Sequence, residues 1–165
     1  IGYEELLKFQ GPSSKRTLID AIRSIARKSP PLTPFYFVLA RWWTQSLGYS
    51  IFIIRSLSVL FGLLVLPAMY WLARELFQAT SVSKIAVALA AISPIFIRYA
   101  QEARPYSLWT LTIVLSSAAL LRCLRVKTRS SWILYSATLV VSLYTQIFSA
   151  LVIVSHAIYV FTLEN

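Results

Sequence analysis

Ile51-Phe52-Ile53-Ile54-Arg55-Ser56-Leu57-Ser58-Val59-Leu60-Phe61-Gly62-Leu63-Leu64-Val65-Leu66-Pro67-Ala68-Met69-Tyr70-Trp71-Leu72 carries one charge, Arg55, close to its start. At ~1.5 Å of rise per residue, about 20 helical residues cover a ~30 Å hydrocarbon core, so this stretch reads as a membrane-spanning helix. Pro67 predicts a kink, which membrane helices tolerate when neighbours satisfy the freed carbonyl. Similar runs follow. Val82 to Tyr99 reads as a span with Pro94 near its far end, and its Ala86 and Ala90 have the small-xxx-small spacing that lets helices approach closely. A third span runs from Pro105 to Leu124, with Ser116, Ser117, Ala118 and Ala119 as a small-residue packing zone. Trp132 to Leu163 would measure about 48 Å as one helix, too long for one crossing, and is divided near Tyr144-Thr145-Gln146.

The composition agrees. Of 165 residues, 58% are hydrophobic and 13% charged, where an ordinary soluble domain carries about 25% charged residues. The mean hydropathy is +0.68. The fold class is therefore all-α: a polytopic transmembrane helical bundle of about five spans over residues 51–165, with juxtamembrane amphipathic helices. One cysteine and one histidine exclude an internal disulfide framework and any multi-histidine or cysteine metal cluster. The net charge of +10 fits cations that flank spans and meet anionic headgroups of membrane lipids. No zinc-ligand spacing, RNP-like aromatic motif or Walker-type loop argues for nucleic acid. No repeat or low-complexity tract stands out. The chain opens on Ile1 without a signal-peptide pattern and reads as a fragment.

Residues 1–50 differ from the rest and read as an extracytoplasmic first-loop segment with juxtamembrane helices. Ser13 and Ser14 can cap a helix from Lys15 to Lys28 with Leu18, Ile22 and Ile25 on one face, an interfacial pattern. Ser29-Pro30-Pro31-Leu32-Thr33-Pro34 cannot continue it. An aromatic-rich helix from Phe35 to Leu47 suits the headgroup level and ends at Gly48. Arg74 and Lys84 flank one connection, and Arg122, Arg125, Lys127 and Arg129 crowd another. Alternation puts both on one face, assigned as cytoplasmic, and the prelude, the 98–105 turn and Gln146 on the other. The prelude's seven cations (Lys8, Lys15, Arg16, Arg23, Arg27, Lys28, Arg41) run against the positive-inside bias unless they serve there, as in holding anionic lipid phosphates.

The turn Tyr99-Ala100-Gln101-Glu102-Ala103-Arg104-Pro105-Tyr106 packs an acid, a base, an amide and two phenols between two spans. Ionisable groups beside hydrocarbon are costly unless paired or functional. Glu102 either pairs with Arg98 or Arg104 and closes the hairpin, or shapes a site. Arg55 is either a snorkelling interfacial arginine or a phosphate clamp reaching into an outer cavity. His156 reads as a hydrogen-bonded core residue, Asp20 as a solvated partner of Arg23, and Trp42, Trp43, Trp71, Trp109 and Trp132 as belt residues.

Together these residues resemble a family. Pro34-Phe35-Tyr36-Phe37-Val38-Leu39-Ala40-Arg41-Trp42-Trp43, then Ile54-Arg55-Ser56-Leu57-Ser58 with Leu60-Phe61-Gly62-Leu63-Leu64, then Ser93-Pro94 and the Tyr99 to Tyr106 turn, look like the bacterial membrane glycosyltransferases of family 39. These are relatives of the dolichyl-phosphate-mannose protein mannosyltransferases and the lipid A aminoarabinose transferases. The likeness covers roughly residues 15 to 162, with a flavour similar to cyanobacterial members.

The resemblance implies a GT-C architecture in the bacterial cytoplasmic (inner) membrane. It also implies sugar transfer from a polyprenyl-phosphate donor to an acceptor hydroxyl on a lipid, polysaccharide or protein at the extracytoplasmic face. Such chemistry needs a carboxylate base and cations for the leaving phosphate. By similarity the catalytic aspartate lies upstream of Ile1, Arg55 matches an arginine at the start of the second span, and Gln101, Glu102 and Arg104 fall on the family's turn. Tyr36 matches the aromatic after a His-Pro-Pro-Leu-Tyr-type loop, whose histidine Leu32-Thr33-Pro34-Phe35-Tyr36 lacks. The expected substrate-binding set is Arg55, Gln101, Glu102, Arg104 and Tyr36. No metal ligand is assigned, and whether a divalent cation assists stays open. A transporter or flippase is the alternative. It would place charges inside spans and often shows inverted repeats; here charges sit at span ends. A scaffold or a family member without its acid is a further rival.

Overall fold

The computed structural model describes residues 35–164, and every described element is a helix: α1 Phe35–Leu47, α2 Ile51–Phe77, α3 Thr80–Ala91, α4 Pro94–Gln101, α5 Tyr106–Val126, α6 Arg129–Thr145 and α7 Ser149–Glu164. The expected Lys15 to Lys28 helix, the extended proline segment and the Asp20–Arg23 pair lie outside the described residues. The helix from Phe35 to Leu47 forms with the expected bounds. Gly48 stops it at φ 111° with its N–H on the Thr44 carbonyl, a left-handed cap that only glycine adopts without a Cβ penalty.

α2 begins where expected, with the Ser50 hydroxyl accepting from the Phe52 N–H, and runs past Leu72 to Phe77. Pro67 stands inside it without ending it. Pro94, by contrast, divides the Val82 to Tyr99 span into α3 and α4, bent 56° apart. The ring supplies no N–H to continue the ladder, and a residue before proline is pushed out of the helical region; Ser93 is extended at φ −67°, ψ 120°. Pro105, expected in the first turn of the next span, sits one position before it, at the cap of α5. The expected break beside Gln146 separates α6 from α7.

α5 is the centre of the bundle, contacting α2 on one side and α6 on the other. Its small residues allow this, because Ser116, Ala118 and Ala119 are buried and let neighbouring backbones come close. Val65 and Ala68 of α2 pack on Leu111 and Val114 of α5, while Tyr36 of α1 joins Leu57 and Leu108. The outer surface is apolar: Phe52, Leu63, Leu89, Leu151 and Phe161 are exposed. In water such a surface would drive aggregation, whereas hydrocarbon solvates it at no cost. This is a membrane protein. α2 and α5 are each long and apolar enough to cross a bilayer, and the bent α3–α4 pair makes a third crossing if it counts as one. α6 and α7 have 17 and 16 residues.

Candidate functional site

Arg55, Gln101, Glu102 and Arg104, four of the five expected binding residues, line one open cleft of about 690 Å³ together with Arg98 and Ala103. The bend at Ser93 creates it by turning α4 so that its last residues reach the first turns of α2. Arg55 thus faces the 101–104 turn across a gap between two helices that sequence separation alone would not bring together. Three guanidinium groups and one carboxylate meet here, an arrangement suited to an anion carrying several oxygens.

Local contacts hold the turn. The Arg104 N–H donates to the Glu102 carbonyl at 2.8 Å, the Ser107 hydroxyl donates to the Tyr99 carbonyl at 2.8 Å, and the Tyr99 and Tyr106 rings meet at 5.0 Å. Glu102 pairs with Arg98, as one reading of the sequence expects, but loosely: 3.6 Å from Nε, with the arginine side chain 80% exposed. Such a contact contributes ~0–1 kcal/mol and leaves the carboxylate able to accept other donors. Among the described residues, Arg55 and Arg104 make no ion pair.

Beside the polar cleft lies an apolar trench of about 460 Å³ that shares Arg55 and Gln101 with it and is otherwise lined by Ile51, Phe52, Ser56 and Val59. Arg55 therefore stands between the apolar residues of this trench, with Ile51 and Phe52 before it and Val59 one turn after it on α2, and also faces the polar cleft. Ser56 is fixed by accepting from the Trp43 indole at 3.0 Å and donating to the Ile53 carbonyl at 2.8 Å.

The structure does not bring Tyr36 to this cleft. Its side chain is 2% exposed, and its hydroxyl meets Ser58 Oγ at 2.7 Å. Burial pushes the phenol above its ordinary pKa of 10.0, against a smaller lowering from the Ser58 hydrogen bond. Tyr36 anchors α1 to α2 next to Arg55.

Three of the five tryptophans are more than belt residues. The Trp43, Trp71 and Trp109 indoles donate to Ser56, Glu75 and Ser149. Ser149 further accepts from Ser142, which accepts from Thr112, so hydroxyls join α5, α6 and α7 near the Gln146 break. Sequence reading missed these ties because serine and threonine in apolar helices look alike whether or not they have partners.

His156 is the buried, hydrogen-bonded residue expected. Its Nε2 lies 3.2 Å from the Ser117 hydroxyl and its Nδ1 3.2 Å from the Tyr135 hydroxyl. In the neutral ring one nitrogen donates and the other accepts, so both contacts can be met at once. The neutral ring is satisfied on both sides and lies away from the cleft. Among the described residues no three of His, Cys, Asp and Glu gather as a metal site.

The geometry is thus a cluster of cations and one carboxylate at the end of a membrane bundle, adjoining an apolar trench at Arg55 and Gln101. No curated protein and no solved structure matches the chain. Residues 28–164 match the family of dolichyl-phosphate-mannose-protein mannosyltransferases. With most of its length inside that match, the chain belongs to this family of GT-C membrane glycosyltransferases.

Proposed function

We propose that the protein transfers a sugar from a polyprenyl-phosphate-linked donor to an acceptor hydroxyl at the extracytoplasmic face of the bacterial cytoplasmic membrane, in which the chain is multi-pass. The observation that carries this reading is the junction of the polar cleft with the apolar trench at Arg55 and Gln101. A lipid phosphate has both parts: an anionic head for the guanidinium groups and a hydrocarbon chain for the trench.

In the transfer, the acceptor oxygen forms a bond to the anomeric carbon as the carbon–oxygen bond to the phosphate breaks. Negative charge then builds on the departing polyprenyl phosphate, and Arg55 and Arg104 stabilise it where it develops. Glu102 and Gln101 are assigned to orienting the sugar or the phosphate. The base that takes the acceptor proton is assigned to an aspartate upstream of Ile1. The acceptor belongs to the lipid, polysaccharide or protein class. A flippase would favour a polar cavity at mid-membrane, whereas the described cleft lies at one end of the helices.

The test uses the full-length protein in nanodiscs with a polyprenyl-phosphate sugar, comparing Arg55→Ala and Glu102→Ala with the parent. Both variants are expected to insert normally and to lose turnover. Undiminished turnover in both would remove this cleft from the reaction.

A further inference from the structure

The contact that seats the cleft lies deeper, between α2 and α4. A Cβ built on Gly62 would stand 2.7 Å from the Cβ of Ala100 and 3.6 Å from its Cα. Carbon atoms of different residues pack at about 3.5–4.0 Å. The Ala100 methyl is fixed to the backbone and has no rotamer with which to yield, so a methyl at position 62 can enter only if the α2 and α4 backbones move apart. Glycine is a poorer helix former than alanine in a helix interior, and here the close approach is what its use provides.

The consequence reaches the site through two short links. Gly62 lies seven residues after Arg55, two turns along, and therefore on the same face of α2. Ala100 lies in the last turn of α4, directly before Gln101 and the capping residue Glu102. Gly62, Val59, Ile97 and Ala100 line a small hollow of about 140 Å³ that meets the apolar trench at Val59. One face of α2 thus presents Arg55 to the cleft and Gly62 to the helix that carries the cleft's opposite wall.

We propose that Gly62 is a positioning residue: its missing side chain sets how closely α4 closes on α2, and so sets the gap between Arg55 and the Gln101–Glu102 edge. This rests on the reading of the cleft as the donor site. A methyl on Gly62 widens the gap and weakens donor binding. Removing the opposing methyl from Ala100 restores the approach.

The experiment compares the full-length parent in nanodiscs with Gly62→Ala, Ala100→Gly and the double substitution, and with Ala100→Val as a variant that adds bulk from the α4 side. Two readouts are taken. One is KM and kcat for a polyprenyl-phosphate sugar. The other needs no substrate: cross-linking by a short bifunctional thiol reagent between Val59→Cys and Ile97→Cys in each background. Gly62→Ala and Ala100→Val are expected to lower cross-linking and to raise donor KM about tenfold with a smaller change in kcat, while the double substitution recovers both. Unchanged cross-linking in both bulky variants, or a double substitution as impaired as Gly62→Ala, overturns the proposal. Cross-linking that falls and recovers while donor KM stays constant overturns the donor-site reading, and the role of Gly62 in it.

Discussion

The Arg125 guanidinium grips the Glu75 carboxylate through Nε and one terminal nitrogen, each hydrogen bond 2.9 Å long, across 50 residues of sequence. The Trp71 indole adds a third donor to the same carboxylate at 3.1 Å. Glu75 sits within the last turn of α2 and Arg125 within that of α5. The clasp therefore pins together the ends of the two longest apolar helices, opposite the end where Arg55 faces the 101–104 turn.

The two partners are unequal: the Glu75 side chain is 5% exposed and that of Arg125 54%. Removing the arginine strands a buried carboxylate, whereas removing the carboxylate leaves a guanidinium that water can solvate. Arg125→Met is expected to cost on the order of 3 kcal/mol, and Glu75→Gln about 1 kcal/mol, in reversible unfolding in detergent. Equal losses would mean that the pair is no more than a surface contact.

At the other end, Arg55 should not tolerate its usual conservative replacement. Lysine keeps the charge but loses the planar fork that can grip two phosphate oxygens. Turnover of a polyprenyl-phosphate sugar is expected to fall about 10-fold in Arg55→Lys and roughly 100-fold or more in Arg55→Ala. If Arg55→Lys equals the parent, a point charge suffices and the clamp geometry is dispensable.

Tyr36→Phe tests whether Tyr36 anchors α1 rather than binding substrate. The change leaves the Ser58 hydroxyl, which is fully buried, without its partner, at a cost of about 1–3 kcal/mol. Turnover per folded molecule should hold. Because the folded phenol titrates above the unfolded value of 10.0, the unfolded chain loses its proton first as pH rises. The stabilisation from Tyr36 is then complete below pH 10 and declines above it, so the gap between parent and Tyr36→Phe should narrow in alkali. A gap that widens there would contradict the buried phenol.

His156 holds three helices together through Tyr135 and Ser117. His156→Phe should destabilise the bundle by about 1–3 kcal/mol by orphaning the Tyr135 hydroxyl, with donor KM unaltered. A specific rise in donor KM would connect this network to the site after all.

Gln101 and Thr128 close opposite ends of the helices. Single cysteines there, Gln101→Cys and Thr128→Cys, should react with an impermeant thiol reagent from opposite sides of the membrane. Cys123, the one cysteine in the sequence, is fully buried and should stay silent. Labelling of both positions from one side would contradict the bundle.

Helix type, most boundaries and the apolar outer surface were legible in the residues themselves. Hydropathy and proline chemistry act over a turn or two: Ile51 starts α2, Gly48 ends α1, and the Gln146 break falls where length demands it. Pro94 shows the limit of that reasoning. Its missing N–H is as plain as that of Pro67, yet α2 continues through one while α3 and α4 part at the other. Ser93, before Pro94, takes extended backbone, whereas the residue before Pro67 stays helical.

The sequence by itself determined that this is a helical membrane chain with ionisable residues gathered in the turn after Tyr99, because segregation of oily and charged residues is a local property that lipid and water sort directly. Only the tertiary structure decided which groups meet. The 56° bend carried the turn to Arg55, the bare backbone of Gly62 admitted Ala100, and helix packing placed Tyr36 in the core instead of the cleft. Such pairings depend on how helices rotate and cross, which the balance of all their contacts fixes together and no single stretch of residues encodes.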